Sequence, residues 1–189
     1  MALVLRQFVE RATELGATVH LAAGADEATA QVVGIFRSVA ARVAVLSRDL
    51  RSLELPIAGA LAEAGAKLVE DSSPSAVAKT DLGVTGAALA VAETGSILVA
   101  GNDSLPRLAT MLPLIHVAVV DARSLVPSLD DAAGYLRQIG QREAGGAVRY
   151  ASLISGPSRT ADIEKTLSTG VHGPRELHIV LIHSEPKEP

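Results

Sequence analysis

The sequence predicts an α/β fold: a mostly parallel sheet with helices on both faces and a β-hairpin insertion. Three observations carry this reading. Strand-like runs alternate with helical runs along most of the chain. The run Arg42-Val43-Ala44-Val45-Leu46-Ser47 has few polar positions, as a strand covered on both faces requires. Two apolar runs, Ala88–Ala92 and Ser96–Ala100, are joined by Glu93-Thr94-Gly95, a short Gly-containing loop of the hairpin type.

The elements follow in order. Residues 1–16 predict an N-terminal helix, because Val4, Phe8, Ala12 and Leu15 recur at helical spacing between Arg6, Glu10 and Arg11. Gly16 stops it. Thr18–Ala22 reads as a short strand, and Asp26 opens a helix that buries Val32, Val33, Ile35 and Phe36. Pro56 to Ala64 is a helix with Pro in the tolerated first turn and Gly65 at its end. Lys67–Glu70 is a strand, and Ser73-Pro74 starts a short helix. Leu82–Gly86 is a strand before the hairpin, and the alternation then resumes. Leu105–Leu112 is a helix, Ile115–Asp121 a strand, and Leu129–Ile139 a helix with Ser128 at its N-cap. Ala144–Ala147 is a flexible loop, Ala151–Ser155 a strand, Thr160–Leu167 a helix closed by Gly170, and Leu177–Ile182 a last strand. The tail 185–189 is expected to fray. No repeat or long linker divides the chain, so a single domain over 1–189 is expected.

Composition narrows the function. Apolar residues make up 48% of the 189 but aromatics only 2%, so Ala, Val, Leu and Ile must build the core. The net charge of −4 offers no field for polyanions, and few rings are available for base stacking. A nucleic-acid partner is therefore not expected. There is no Cys, which excludes thiol nucleophiles and thiolate-held metal or iron–sulfur centres within these residues. No apolar run reaches the ~20 residues of a membrane span, and Arg6, Glu10 and Arg11 interrupt any leader-like segment. A cytoplasmic location is the expectation.

Four segments could carry chemistry. Ser155-Gly156-Pro157-Ser158-Arg159-Thr160-Ala161-Asp162 follows a strand and is read as opening a helix. Helix N-termini attract anions, and Ser155, Ser158, Thr160 and Arg159 would add donors for a carboxylate or phosphate. The same residues could instead cap the helix, and Asp162 and Glu164 would oppose an anion. Thr85-Gly86 and Glu93-Thr94-Gly95 form the second segment. Glu93 is the one candidate for a general base, although Glu is also ordinary in an exposed turn. Arg107 and His116 are the third: a possible carboxylate ligand, and a His at the edge of an apolar strand. The fourth is His172, before Gly173-Pro174 and just past a helix end, where a cation complements the dipole. The five His lie on different elements with no metal-ligand spacing, and no metal site is expected. Gly-x-Ser-x-Gly, Walker and Gly-x-Gly-x-x-Gly motifs are absent.

Taken in order, Gly83-Val84-Thr85-Gly86, Ala92-Glu93-Thr94-Gly95-Ser96, Arg107–His116 and Ser155–Glu164 with Gly170–Pro174 resemble the LUD domain of the lactate utilisation protein C family. The family usually has an acid soon after the Gly-x-Thr-Gly turn, where this chain has Ala88, and its N-terminal region is longer. The resemblance implies a NagB/RpiA/CoA-transferase-like fold. It also implies a non-redox part in oxidising L-lactate to pyruvate beside iron–sulfur partner proteins, with no cofactor in this chain. The same superfamily contains 5-formyltetrahydrofolate cyclo-ligase-like enzymes. The alternative expectation is therefore a stand-alone enzyme on a small phosphorylated or folate-like anion.

Overall fold

The computed structural model describes residues 2–140, 148–161, 167–169 and 173–183. The expected Ala144–Ala147 loop and the 185–189 tail lie outside them.

Six parallel strands form the main sheet: β1 (Thr18–Ala22), β2 (Val43–Leu46), β3 (Lys67–Val69), β4 (Leu82–Gly86), β7 (Ile115–Asp121) and β12 (Glu176–Ile182). Their order is β1-β12-β7-β4-β2-β3. All five residues of β4 and the first six of β7 are buried, which is why both read as continuous apolar runs. Helices α2 (Ala25–Ser38) and α3 (Ile57–Glu63) cover one face. There Val32, Phe36, Ile57 and Leu61 pack on Leu82, Val84, Val117 and Val180.

The opposite face carries helices as well, as expected, together with further strands. Helix α1 (Ala2–Glu14) covers one part of it with Phe8 and Ala12, Val77, Leu105 and Ala109 of two short helices cover the part at Val45, and a second sheet covers the rest. That sheet is built on the hairpin of β5 (Leu89–Val91) and β6 (Ser96–Gly101), flanked by β8 (Leu125–Val126) and β9 (Tyr150–Ile154), in the order β8-β5-β6-β9. Ala90 and Ile97 face Ala118, Val120, Ile179 and Leu181 across the interface. Helix α6 (Leu129–Gly140) closes the far side, with Ala132 and Tyr135 on Leu89, Val91 and Leu98. The hairpin is thus the seed of a second layer, and β9 pairs antiparallel with β6 outside the parallel sheet.

Several starts follow the expected capping chemistry. Ser128 and Asp131 cap α6 reciprocally, each backbone N–H donating to the other's side chain. Ser73 caps α4 (Pro74–Val77), and Asp103 caps α5 (Ser104–Ala109), accepting from Leu105 N at 2.9 Å. Gly83 of β4 is fixed by close approach. A Cβ there would collide with the Ala109 carbonyl at the end of α5.

One expected element is corrected. Of the helix expected over Thr160–Leu167, the described ends are strands instead, and 162–166 lie outside the described residues. Residues Arg159–Ala161 are strand β10, paired antiparallel with β11 (Leu167–Thr169). An arm whose register places Arg159 opposite Thr169 satisfies its backbone across the pair, so no helix N-terminus opens at Ser158.

Candidate functional site

The four segments do not converge on one point. Thr85 and His116 meet inside the sheet: Thr85 Oγ1 lies 2.9 Å from His116 Nε2, on neighbouring strands β4 and β7. His116 stands opposite Gly83, so its ring reaches past a position without a side chain to the next residue on the same face. It is 1% exposed, and burial lowers its pKa to about 3, so the ring is neutral at pH 7. Gly86 ends β4 beside Val119, also buried.

A second cluster forms where the hairpin tip, the end of β9 and the C-terminal end of α1 come together. Gly95 turns the hairpin at φ 64°, pressed against the α1 backbone at Arg11 and Ala12, where a Cβ would clash. Ser96 Oγ and Ser155 Oγ lie 2.7 Å apart. Gly156 packs on the Leu15 carbonyl, and the exposed Arg159 guanidinium lies against Gly16. Ser158 donates its backbone N–H to the Pro174 carbonyl at 2.9 Å, with its side chain beside Gly173. Thr94 Oγ1 is buried without a hydrogen-bond partner.

The electrostatics invert the expectation for Arg159. It sits at a helix C-terminus, the negative end of the dipole, where a cation is stabilised. Glu93 is likewise placed at a helix end: its carboxylate accepts from Leu129 N–H at 2.9 Å, at the start of α6. Arg107 is exposed on α5. Thr160 lies on β10, and Asp162 and His172 fall outside the described residues.

Among the described residues, no His, Asp or Glu hydrogen-bonds to Ser96 or Ser155, so these hydroxyls have no base beside them. No group of three His, Asp or Glu is placed to hold a metal ion among those residues. No helix among them is long and apolar enough to cross a membrane. One polar cluster escaped the sequence reading. His20 Nε2 lies 3.1 Å from His178 Nδ1, and His178 Nε2 lies 3.1 Å from Glu176 Oε2. The two rings stack with centroids 5.4 Å apart. Only the β1–β12 register, which sets Thr18 beside His178, brings these residues together.

Fold and site together define an α/β domain in which a six-stranded parallel sheet packs against a four-stranded mixed one. The chain belongs to the LUD domain family, whose model matches residues 5–182. It is 34% identical over 113 residues to lactate utilization protein C of Exiguobacterium sp., covering 60% of this chain and 49% of that one. The protein of the same name from Bacillus subtilis is 31% identical over 106 residues, 55% of this chain and 43% of its own. An uncharacterized protein of Neisseria meningitidis is 29% identical over 155 residues, 75% and 65% of the two chains. The chain spans about half the length of the lactate utilization proteins it matches. In three dimensions it resembles a crystal structure of a DUF162 family protein from Deinococcus radiodurans. The TM-score is 0.68 at 20% identity, over 96% of this chain and 98% of that one, which supports the fold.

Proposed function

We propose that this chain is a non-redox component of a cytoplasmic system that oxidises L-lactate to pyruvate, acting beside iron–sulfur proteins that carry the electrons. The observation that carries the reading is the set of relatives named lactate utilization protein C, aligned with a chain of the LUD domain family. Composition supports the division of labour. Lactate oxidation releases two electrons, and these 189 residues contain no Cys to ligate an iron–sulfur cluster. The Ser96–Ser155 pair supports it too, because no His, Asp or Glu among the described residues hydrogen-bonds to either hydroxyl. The alternative, a stand-alone enzyme on a small phosphorylated or folate-like anion, keeps the exposed Arg159 but loses the helix amides that were to hold the anion.

The test is deletion of the gene in its own host, followed by growth on L-lactate and on pyruvate. Growth on L-lactate is expected to fail while growth on pyruvate persists, and a plasmid copy is expected to restore it. Glu93→Gln should restore it as well, since the amide oxygen can still accept from Leu129. Normal growth of the deletion strain on L-lactate, with no second copy in the genome, overturns the reading.

A further inference from the structure

The amino ends of β4, β7 and β12 meet at a turn that the clusters above do not use. Residues 111–114 lie between α5 and β7, and Met111, Leu112 and Leu114 are each 36 to 48% exposed. Eight large apolar side chains are exposed among the described residues, and three of them fall in these four positions. Single exposed leucines are ordinary, but a contiguous apolar patch marks an interaction surface. Pro113, between them, is buried and lies over Gly83 of β4. Its ring anchors the turn, so the three side chains are already in place before anything docks on them.

The free charges around the turn have one sign. Arg107 precedes Met111 by one helical turn, in the last turn of α5. On the β12 side, Arg175 donates its backbone N–H to the Leu114 carbonyl at 2.7 Å. On the β4 side, Ile115 donates to the Asp81 carbonyl, two residues past Lys79. Arg107, Arg175 and Lys79 are all exposed, and none enters an ion pair among the described residues. The acids at these strand starts are engaged. Asp81 accepts from the backbone N–H groups of Arg42 and Val43 at 2.8 and 2.9 Å, and Glu176 Oε2 lies 3.1 Å from His178 Nε2. An apolar centre containing Met, with an arginine-bearing rim, is the anatomy of a protein–protein contact.

We infer that this turn is a docking surface for a second protein, one whose contact face is acidic around an apolar centre. Charge complementarity selects that occupant. A chain of net charge −4 presents three free cations here, and they steer an acidic face onto the turn. A second copy of this chain, meeting the same surface across a two-fold axis, would set those cations against one another. A bilayer lacks its usual aromatic anchor, since Phe8, Phe36, Tyr135 and Tyr150 all pack elsewhere. The surface stands whether or not the lactate reading does, because its partner is defined by charge and shape alone.

The experiment begins with photo-crosslinking of the full chain in cells of its own host. The photoreactive residue p-benzoylphenylalanine is placed at Leu112 and, as a control, at the equally exposed Leu153 on β9. The Leu112 probe is expected to capture one acidic protein that the Leu153 probe does not. That protein is identified, purified and titrated against the unmodified chain. Binding should weaken as salt is raised, and about tenfold when Arg107→Glu and Arg175→Glu are combined. Leu114→Asp, which puts a charge at the apolar centre, should abolish it. Circular dichroism confirms that the variants fold. The surface is overturned by the absence of any adduct particular to Leu112, or by an adduct there with a lipid or with a second copy of the chain. It is equally overturned if the captured protein is not acidic, or binds either folded variant as tightly as wild type.

Discussion

The two sheets of this molecule treat polar residues in opposite ways. In the six-stranded sheet, β4 and β7 are buried on both faces, and the polar groups they admit, Thr85 and His116, bond to each other. In the four-stranded sheet, β9 is an edge strand that alternates half-buried and exposed positions, with Leu153 46% exposed. A strand covered on both sides must be apolar or internally satisfied, whereas an edge strand with a wet face need not be. The motif residues divide along this line. Thr85 and His116 lie buried in the main sheet and Ser96 is buried opposite Val91 on the α6 side of the second sheet, while Glu93 and Arg159 sit at exposed turns, each at the helix end that suits its charge. Much of a motif that looked like a reactive centre is therefore accounted for by packing and helix ends.

The strongest way to break this comparison is at Gly83. Gly83→Val drives a side chain into the Ala109 backbone and should cost about 3 kcal/mol or more in urea denaturation. A cost near that of a surface change would mean that α5 does not rest on β4. The next effect is a dependence on pH. The folded chain holds His116 at about 3, below its ordinary 6.5, because burial disfavours the charged ring. As pH falls the unfolded chain takes up the proton first, so stability present above the ordinary value is lost on the way down towards about 3. The loss should be roughly 1 kcal/mol per pH unit. His20, lowered first by burial and then by the His178 charge, adds to the loss in the same direction. His116→Gln should flatten the slope, and an unchanged slope would place the dependence elsewhere. The smallest effect is expected at the other sheet: Leu153→Ser on β9 should move stability by less than about 0.5 kcal/mol. A larger loss there would show that the exposed face of β9 is covered in solution.

The parallel strands, the helices over them and the hairpin were legible because each is written locally, as apolar runs, helical spacing and cap residues. What escaped is written between distant residues. Two-residue β8 has too little sequence to show a period, and it exists only because β5 offers it an edge. The arm at Arg159–Ala161 was misread because Asp162, Ile163 and Glu164 resemble a helical first turn, while its backbone pairs with Leu167–Thr169 instead. With that helix went the reason for placing an anion at Ser158. The His20–His178 and Thr85–His116 contacts depend on register, which one sequence does not reveal.

The pairing of β1 with β12 has a consequence for how the chain folds. Thr18 lies beside His178, so β1 waits for a strand that is made much later along the chain. Closing a loop of that length delays the contact, and topologies rich in such contacts fold slowly. Until β12 arrives, β1 has no neighbour in the sheet and β7 keeps one edge open. The nascent chain therefore passes through a period with adhesive strand edges, when chaperone protection matters most.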